Sequence, residues 1–149
     1  MQVVLVHHAD AVGPGDDPQR SLSANGRAQA DTLAAQASEA GCRPDAIWHS
    51  GKLRARQTAE AFLRACNPSA DFRMVRGLHP GDPPEWMRDE IAAESRSVMV
   101  VGHMPQIAAL ARVLCPDLEP FPLHGLIALE RDERGQLSES WRAQPMDVG

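Results

Sequence analysis

Val3-Val4-Leu5-Val6 is an unbroken apolar run of mostly β-branched residues, followed directly by His7 and His8. Apolarity at every position, rather than every second one, predicts a central strand buried on both faces. Ser97 to Gly102 (SVMVVG) has the same character, and Asp45 to His49 is a shorter version of it. Arg73-Met74-Val75 predicts a brief further strand. Between these runs the apolar residues recur at helical spacing. One helix opens at Leu22-Ser23 and runs to about Ala40, with Ala28, Leu33, Ala34 and Ala37 on one face, Ser23 as N-cap and Gly41 as the stop. A second follows Ser50, its expected cap, from Gly51 to about Cys66, with the stripe Ala55, Ala59, Phe62, Cys66. Pro84 to Glu94 and Pro105 to Leu114 predict two more, each with proline in its first turn. The Gly/Pro-rich stretches Val12 to Arg20 and Leu78 to Pro84 are loops. Leu126 to Glu130, the turn Asp132-Glu133-Arg134-Gly135 and Leu137 to Trp141 read as a hairpin.

Strands alternating with helices predict an α/β chain: a three-layer α/β/α sandwich with a mostly parallel central sheet and a C-terminal hairpin, as one domain over residues 1–149. Ligands of such folds bind beyond the carboxyl ends of the strands. Three strand ends here carry histidine: His7-His8, His49-Ser50 and Gly102-His103.

Composition narrows the function. A net charge of −5 and a pI near 5.6 exclude a general nucleic-acid or acidic-membrane binder, so an anion site must be a local concentration of positive charge. Cys42, Cys66 and Cys115 are odd in number and far apart along the chain, which suits reduced thiols of a cytoplasmic protein. The N-terminus lacks the basic region of a signal peptide, and no stretch approaches the roughly 18 apolar residues of a membrane span.

The positive charge lies where that argument needs it. Lys52, Arg54 and Arg56 occupy the start of the second helix, where cations oppose the macrodipole unless an anion is bound. Arg54 and Arg56 project about 160° apart around the axis, so only one faces the strand ends, and periodicity does not say which. His7 and His8, if both in the strand, point to opposite faces. Gly102 before His103 lets a ligand or a neighbouring backbone come close. Arginine and histidine together suit phosphoryl transfer, which needs positive charge against the phosphoryl oxygens and a nucleophile that neutral imidazole can supply.

Four segments, in order, resemble the motifs of the histidine phosphatase (phosphoglycerate-mutase-like) superfamily, in particular its short bacterial SixA-like branch. They are Leu5-Val6-His7-His8-Ala9, Arg20-Ser21-Leu22-Ser23-Ala24-Asn25-Gly26, Ser50-Gly51-Lys52-Leu53-Arg54-Ala55-Arg56-Gln57-Thr58-Ala59, and Val100-Val101-Gly102-His103-Met104-Pro105. The resemblance implies a metal-independent phosphatase without cofactor. His8 would be the nucleophile, His103 the second phosphoryl-contacting histidine, and Arg54, Arg20 and His7 phosphate contacts. Substrates would be phosphohistidine proteins or small phosphoesters, with inorganic phosphate released and neither nucleic acid nor membrane as partner.

Two positions depart from the pattern: His7 stands where the family carries arginine, and Ala9 where it carries glycine. Histidine offers fewer donors than the arginine fork and a charge only when protonated, so weaker phosphate binding and activity rising on mild acidification are expected. Ala9 fits only if its φ is not positive. Asp82 and Glu85, with His79, are the candidate general acids in the loop after the third strand. Two other classes compete. A catalytically weak or inactive phosphate- or phosphoprotein-binding module would follow from the loss of the signature arginine. A metal site built from His7, His8 and His103 is disfavoured by the neighbouring arginines and the lack of Cys or carboxylate ligands.

Overall fold

The central run forms β1 (Gln2–His7), held between β4 (Val98–Gly102), parallel to it, and β5 (Leu126–Arg131), antiparallel. This structure, a computed structural model, describes residues 1–145. Further out, β2 (Ala46–His49) pairs with β4, and β3 (Asp71–Met74) with β2, both parallel. On the other side β6 (Leu137–Ala143) pairs antiparallel with β5 and closes the C-terminal hairpin. The sheet order is β3-β2-β4-β1-β5-β6. Between the strands run α1 (Ala24–Glu39), α2 (Leu53–Cys66), α3 (Pro84–Ala93) and α4 (Gln106–Leu114).

The strands explain the layers. In β1, Val4 and Val6 pack with α1 and α2 through Leu33, Ala34, Ala59 and Phe62. Val3 and Leu5 pack with α3 and α4 through Met87, Ile91, Ile107 and Leu110. A strand covered on both faces has no use for polar residues, hence the unbroken apolar runs. The result is the expected three-layer α/β/α sandwich with a mostly parallel sheet.

Several local expectations are corrected. Ala28 is exposed, and the buried stripe of α1 is Gly26, Ala30, Leu33, Ala34 and Ala37. Gly26 is required there, because a Cβ would sit 1.9 Å from the Asp10 carbonyl oxygen. Ser23 does cap α1, accepting from the Gly26 amide at 2.9 Å, and Gly41, at φ +85°, ends it. Pairing of Ala46 with Asp71 through His49 with Met74 places β3 earlier than Arg73 to Val75. Ser50 is not the cap of α2; Lys52 holds that position without a side-chain cap bond, and Ser50 is used elsewhere. Pro105 is the flanking N-cap residue of α4 and not its first helical one. Cys42 and Cys66, distant in sequence, meet in the core as free thiols; their mutual hydrogen bond and burial push Cys42 well above the usual thiol range. Among the described residues no helix is long and apolar enough to cross a membrane.

Candidate active site

The nucleophile candidate lies at the end of β1. His7 donates its amide to the Gly125 carbonyl at 2.9 Å, and His8 donates to that of Gly102 at 3.1 Å. The strand proper stops at His7, so His8 is free of strict alternation and the two rings sit 4.5 Å apart. Nδ1 of His8 lies 2.7 Å from the Ala9 carbonyl. A carbonyl only accepts, so Nδ1 carries the proton and the neutral ring keeps its lone pair on Nε2. Burial pushes the His8 pKa from 6.5 down to about 4; the Ala9 carbonyl works against this, and Arg54, His124 and Arg20 add to it. At neutral pH His8 is therefore an uncharged imidazole with a fixed tautomer.

The motif on α2 holds this segment. The Ala9 amide donates to Thr58 Oγ1 at 3.0 Å, and that hydroxyl donates to the Arg54 carbonyl at 2.8 Å. Ala9 is not among the residues at positive φ, so alanine meets the condition set for it. Arg54 and Arg56 separate as geometry requires. Arg56 is exposed and paired with Glu60 at 3.3 Å. The Arg54 Nε is buried with no hydrogen-bond partner among the described residues. Arg20, Lys52, Arg54 and Arg56 all line one cleft of about 570 Å³. Arg20 stands at φ +53° and donates Nε to the Val12 carbonyl at 3.1 Å.

His103 lies 4.9 Å from His8, ring to ring. Its Nε2 is 2.6 Å from Ser50 Oγ, and the same hydroxyl oxygen accepts from the Lys52 amide at 3.3 Å. A hydroxyl both donates and accepts, so this contact leaves either nitrogen, Nε2 or Nδ1, to carry the ring proton. The His103 Nδ1 is buried without a partner among the described residues. Burial, with the nearby His8, Arg54, Lys52 and His7, lowers its pKa to about 2. Gly102 lets a neighbouring backbone approach: a Cβ there would lie 3.4 Å from the Leu78 carbonyl oxygen.

His7 behaves otherwise than expected. Burial first, then His8, His124 and Arg54, hold its pKa at about 3. Mild acid does not charge it, so the expected rise in activity on mild acidification loses its basis.

One residue in this cluster escaped the sequence analysis. His124 stacks on His7 with centroids 4.8 Å apart and planes 8° from parallel. A ring nitrogen of each of His7, His8 and His124 lies within 4.8 Å of the others, so His124 and not His103 completes the histidine triplet that the metal alternative invoked. The only local signal was His124-Gly125 after Pro122, a turn sequence. His49, by contrast, turns away from the cluster: its Nδ1 accepts from the Gly51 amide at 3.1 Å and its ring packs on Phe72.

Of the candidate acids, Asp82 and His79 line a cavity of about 490 Å³ that also includes Ser50. His79 donates Nε2–H to the Ser50 carbonyl at 3.0 Å, and its amide donates to Asp82 Oδ2 at 3.0 Å. Glu85 is exposed in the first turn of α3.

Comparison with known proteins agrees with this fold. Residues 7–79 match the family model of the histidine phosphatase superfamily, branch 1. The chain is 27% identical over 159 aligned positions to the phosphohistidine phosphatase SixA of Escherichia coli K12, covering 99% of this chain and 96% of that one. It superposes on a structure of the protein histidine phosphatase SixA complexed with tungstate at a TM-score of 0.86, with 26% identity over 97% of both chains. A structure from Agrobacterium tumefaciens assigned to SixA gives 0.80 and 29% identity, covering 97% of this chain and 98% of that one. By its motifs, its fold and these relatives, the chain belongs to the histidine phosphatase superfamily.

Proposed function

We propose that this protein is a metal-independent phosphatase that removes phosphoryl groups from phosphohistidine-bearing proteins, through a phosphohistidine on its own His8. The observation that carries the reading is the fixed tautomer of His8, bare at Nε2, in a cluster with two buried nitrogens without protein partners, His103 Nδ1 and Arg54 Nε. In-line attack forms a P–Nε2 bond as the bond from phosphorus to the leaving nitrogen breaks, and that nitrogen takes up a proton. Water then attacks phosphorus, the P–Nε2 bond breaks, and inorganic phosphate leaves with His8 restored. Arg54, Arg20, His103 and His7 hold the phosphoryl oxygens; catalysis here is positioning and charge, as phosphoryl transfer requires. Asp82 is our choice of proton donor over Glu85, because it lines the cavity next to Ser50. Tungstate, which accompanies one relative, is a tetrahedral oxyanion of phosphate's shape. The free thiols and acidic composition fit a cytoplasmic location.

The test is to incubate the protein with a phosphohistidine protein, quench in alkali and analyse His8 for phosphate. Turnover that survives chelator, with phosphate trapped on His8 and both lost in His8→Ala, is expected. Tight phosphate binding without turnover would overturn it.

A further inference from the structure

His124 stands in a turn whose backbone disfavours it. The Gly125 amide closes that turn on the Pro122 carbonyl at 3.0 Å, and His124 sits at φ +55°. Glycine or asparagine is usual at such a position, and few side chains other than histidine and aspartate join them there. A ring kept at a strained position beside a reactive group is a reason to look for a role.

Two contacts of His124 fall on His7 and His8, and its Nε2 lies 4.0 Å from Asp10 Oδ1. Its amide donates to His7 Nδ1 at 2.8 Å, and its own Nδ1 lies 2.8 Å from the His8 carbonyl. An amide N–H only donates, so His7 Nδ1 is the acceptor and the neutral His7 ring carries its proton on Nε2. A carbonyl only accepts, so His124 Nδ1 is the protonated nitrogen and grips the backbone next to the nucleophile. No described residue accepts from His7 Nε2, which leaves that N–H as the ring's one free donor. Without the fixed amide, His7 could take the other tautomer and face the phosphoryl group with a lone pair, repelling an anion.

We propose that His124 is a positioning residue for the phosphoryl group: its backbone fixes His7 as an Nε2–H donor, and its ring clamps the His7–His8 backbone by stacking and by the bond to the His8 carbonyl. Two adjacent imidazoles thereby present opposite polarities, a donor on His7 and a lone pair on His8. This rests on the phosphatase reading above. His7 binds phosphate as a neutral hydrogen-bond donor, which agrees with a ring that burial keeps uncharged.

The test uses His124→Gly, which suits the positive φ and keeps the amide but removes the ring, and His124→Asn, which tolerates that φ and retains a side-chain donor for the His8 carbonyl. Nitrogen-15 NMR of the wild-type rings should find His7 protonated on Nε2 and bare on Nδ1. Inorganic phosphate should bind about tenfold more weakly to His124→Gly, with kcat/KM on a phosphohistidine protein reduced by a similar factor, the size of one lost hydrogen bond. His124→Asn should recover most of both. A His7 protonated on Nδ1, wild-type phosphate affinity in His124→Gly, or His124→Asn as impaired as His124→Gly would each overturn the proposal. If the wild-type protein neither turns over nor forms phosphohistidine, the phosphatase reading fails by itself; the His7 tautomer and the phosphate affinities still judge the role of His124.

Discussion

His8 works as a nucleophile only while its Nε2 is bare, and burial keeps it so down to a pH near its own pKa of about 4. The profile of kcat/KM reports the free enzyme, so it should stay flat from neutrality to about pH 5 and fall below that as His8 takes up a proton. A rise between pH 7 and 5.5 would instead mean that a second group, another histidine or the Asp82 acid, must be protonated for activity. The choice between Asp82 and Glu85 is also decided by single residues. Asp82→Asn should lower turnover of an alkyl phosphoester by about 10²-fold, the ordinary range for loss of a general acid. A phosphoramidate, whose nitrogen leaves more readily, should suffer less, and Glu85→Gln should match wild type on both. Steady-state kinetics on the two substrate classes separate these outcomes.

At the scale of elements, the site depends on how α1 and α2 grip the loop after β1. Gly26 lets α1 ride against Asp10, and Ser23 Oγ donates to the Asp10 carboxylate at 2.6 Å. Thr58 in α2 holds the Ala9 amide. Thr58→Val keeps the shape but leaves that buried amide unpaired, which should destabilise the protein by about 1–3 kcal/mol in urea denaturation. It should also slow formation of phosphohistidine on His8; a variant with wild-type stability and rate would refute the clamp. The helices and most strands were legible in the sequence because their apolar spacing repeats over many residues. The role of Ser50 was not: its hydroxyl bonds His103, 53 residues away, and nothing local distinguishes that from a helix cap.

For the whole molecule, the three buried histidines tie stability to pH. His7, His8 and His103 have folded pKa values of about 3, 4 and 2, all below the ordinary 6.5. The unfolded chain therefore binds protons that the folded chain refuses, and stability must fall as pH drops through 6.5 toward 4. Each histidine contributes a slope of at most about 1.4 kcal/mol per pH unit in that window. Thermal melting should show Tm decreasing steadily from pH 7 to 4.5. His103→Gln, which cannot be protonated, should flatten the decline; an unchanged Tm over that range in the wild type would contradict the burial of these rings. Bound phosphate, stabilising only the folded state, should raise Tm at every pH.

By itself the sequence determined the layers, the mostly parallel sheet and the placing of His8 and His103 at the carboxyl ends of strands. Those follow from local periodicity and from the rule that strand ends face the ligand. Periodicity could not choose Arg54 over Arg56, because both flank the same apolar stripe; packing of α2 on the sheet leaves Arg56 on Glu60 and brings Arg54 close enough to His8 and His103 to depress their pKa values. The sequence also misjudged His7 as a group that mild acid would charge, because burial is a property of the assembled sandwich. His124 was beyond its reach for the same reason. Its partners lie 117 and 116 residues away, brought together only when β5 pairs with β1.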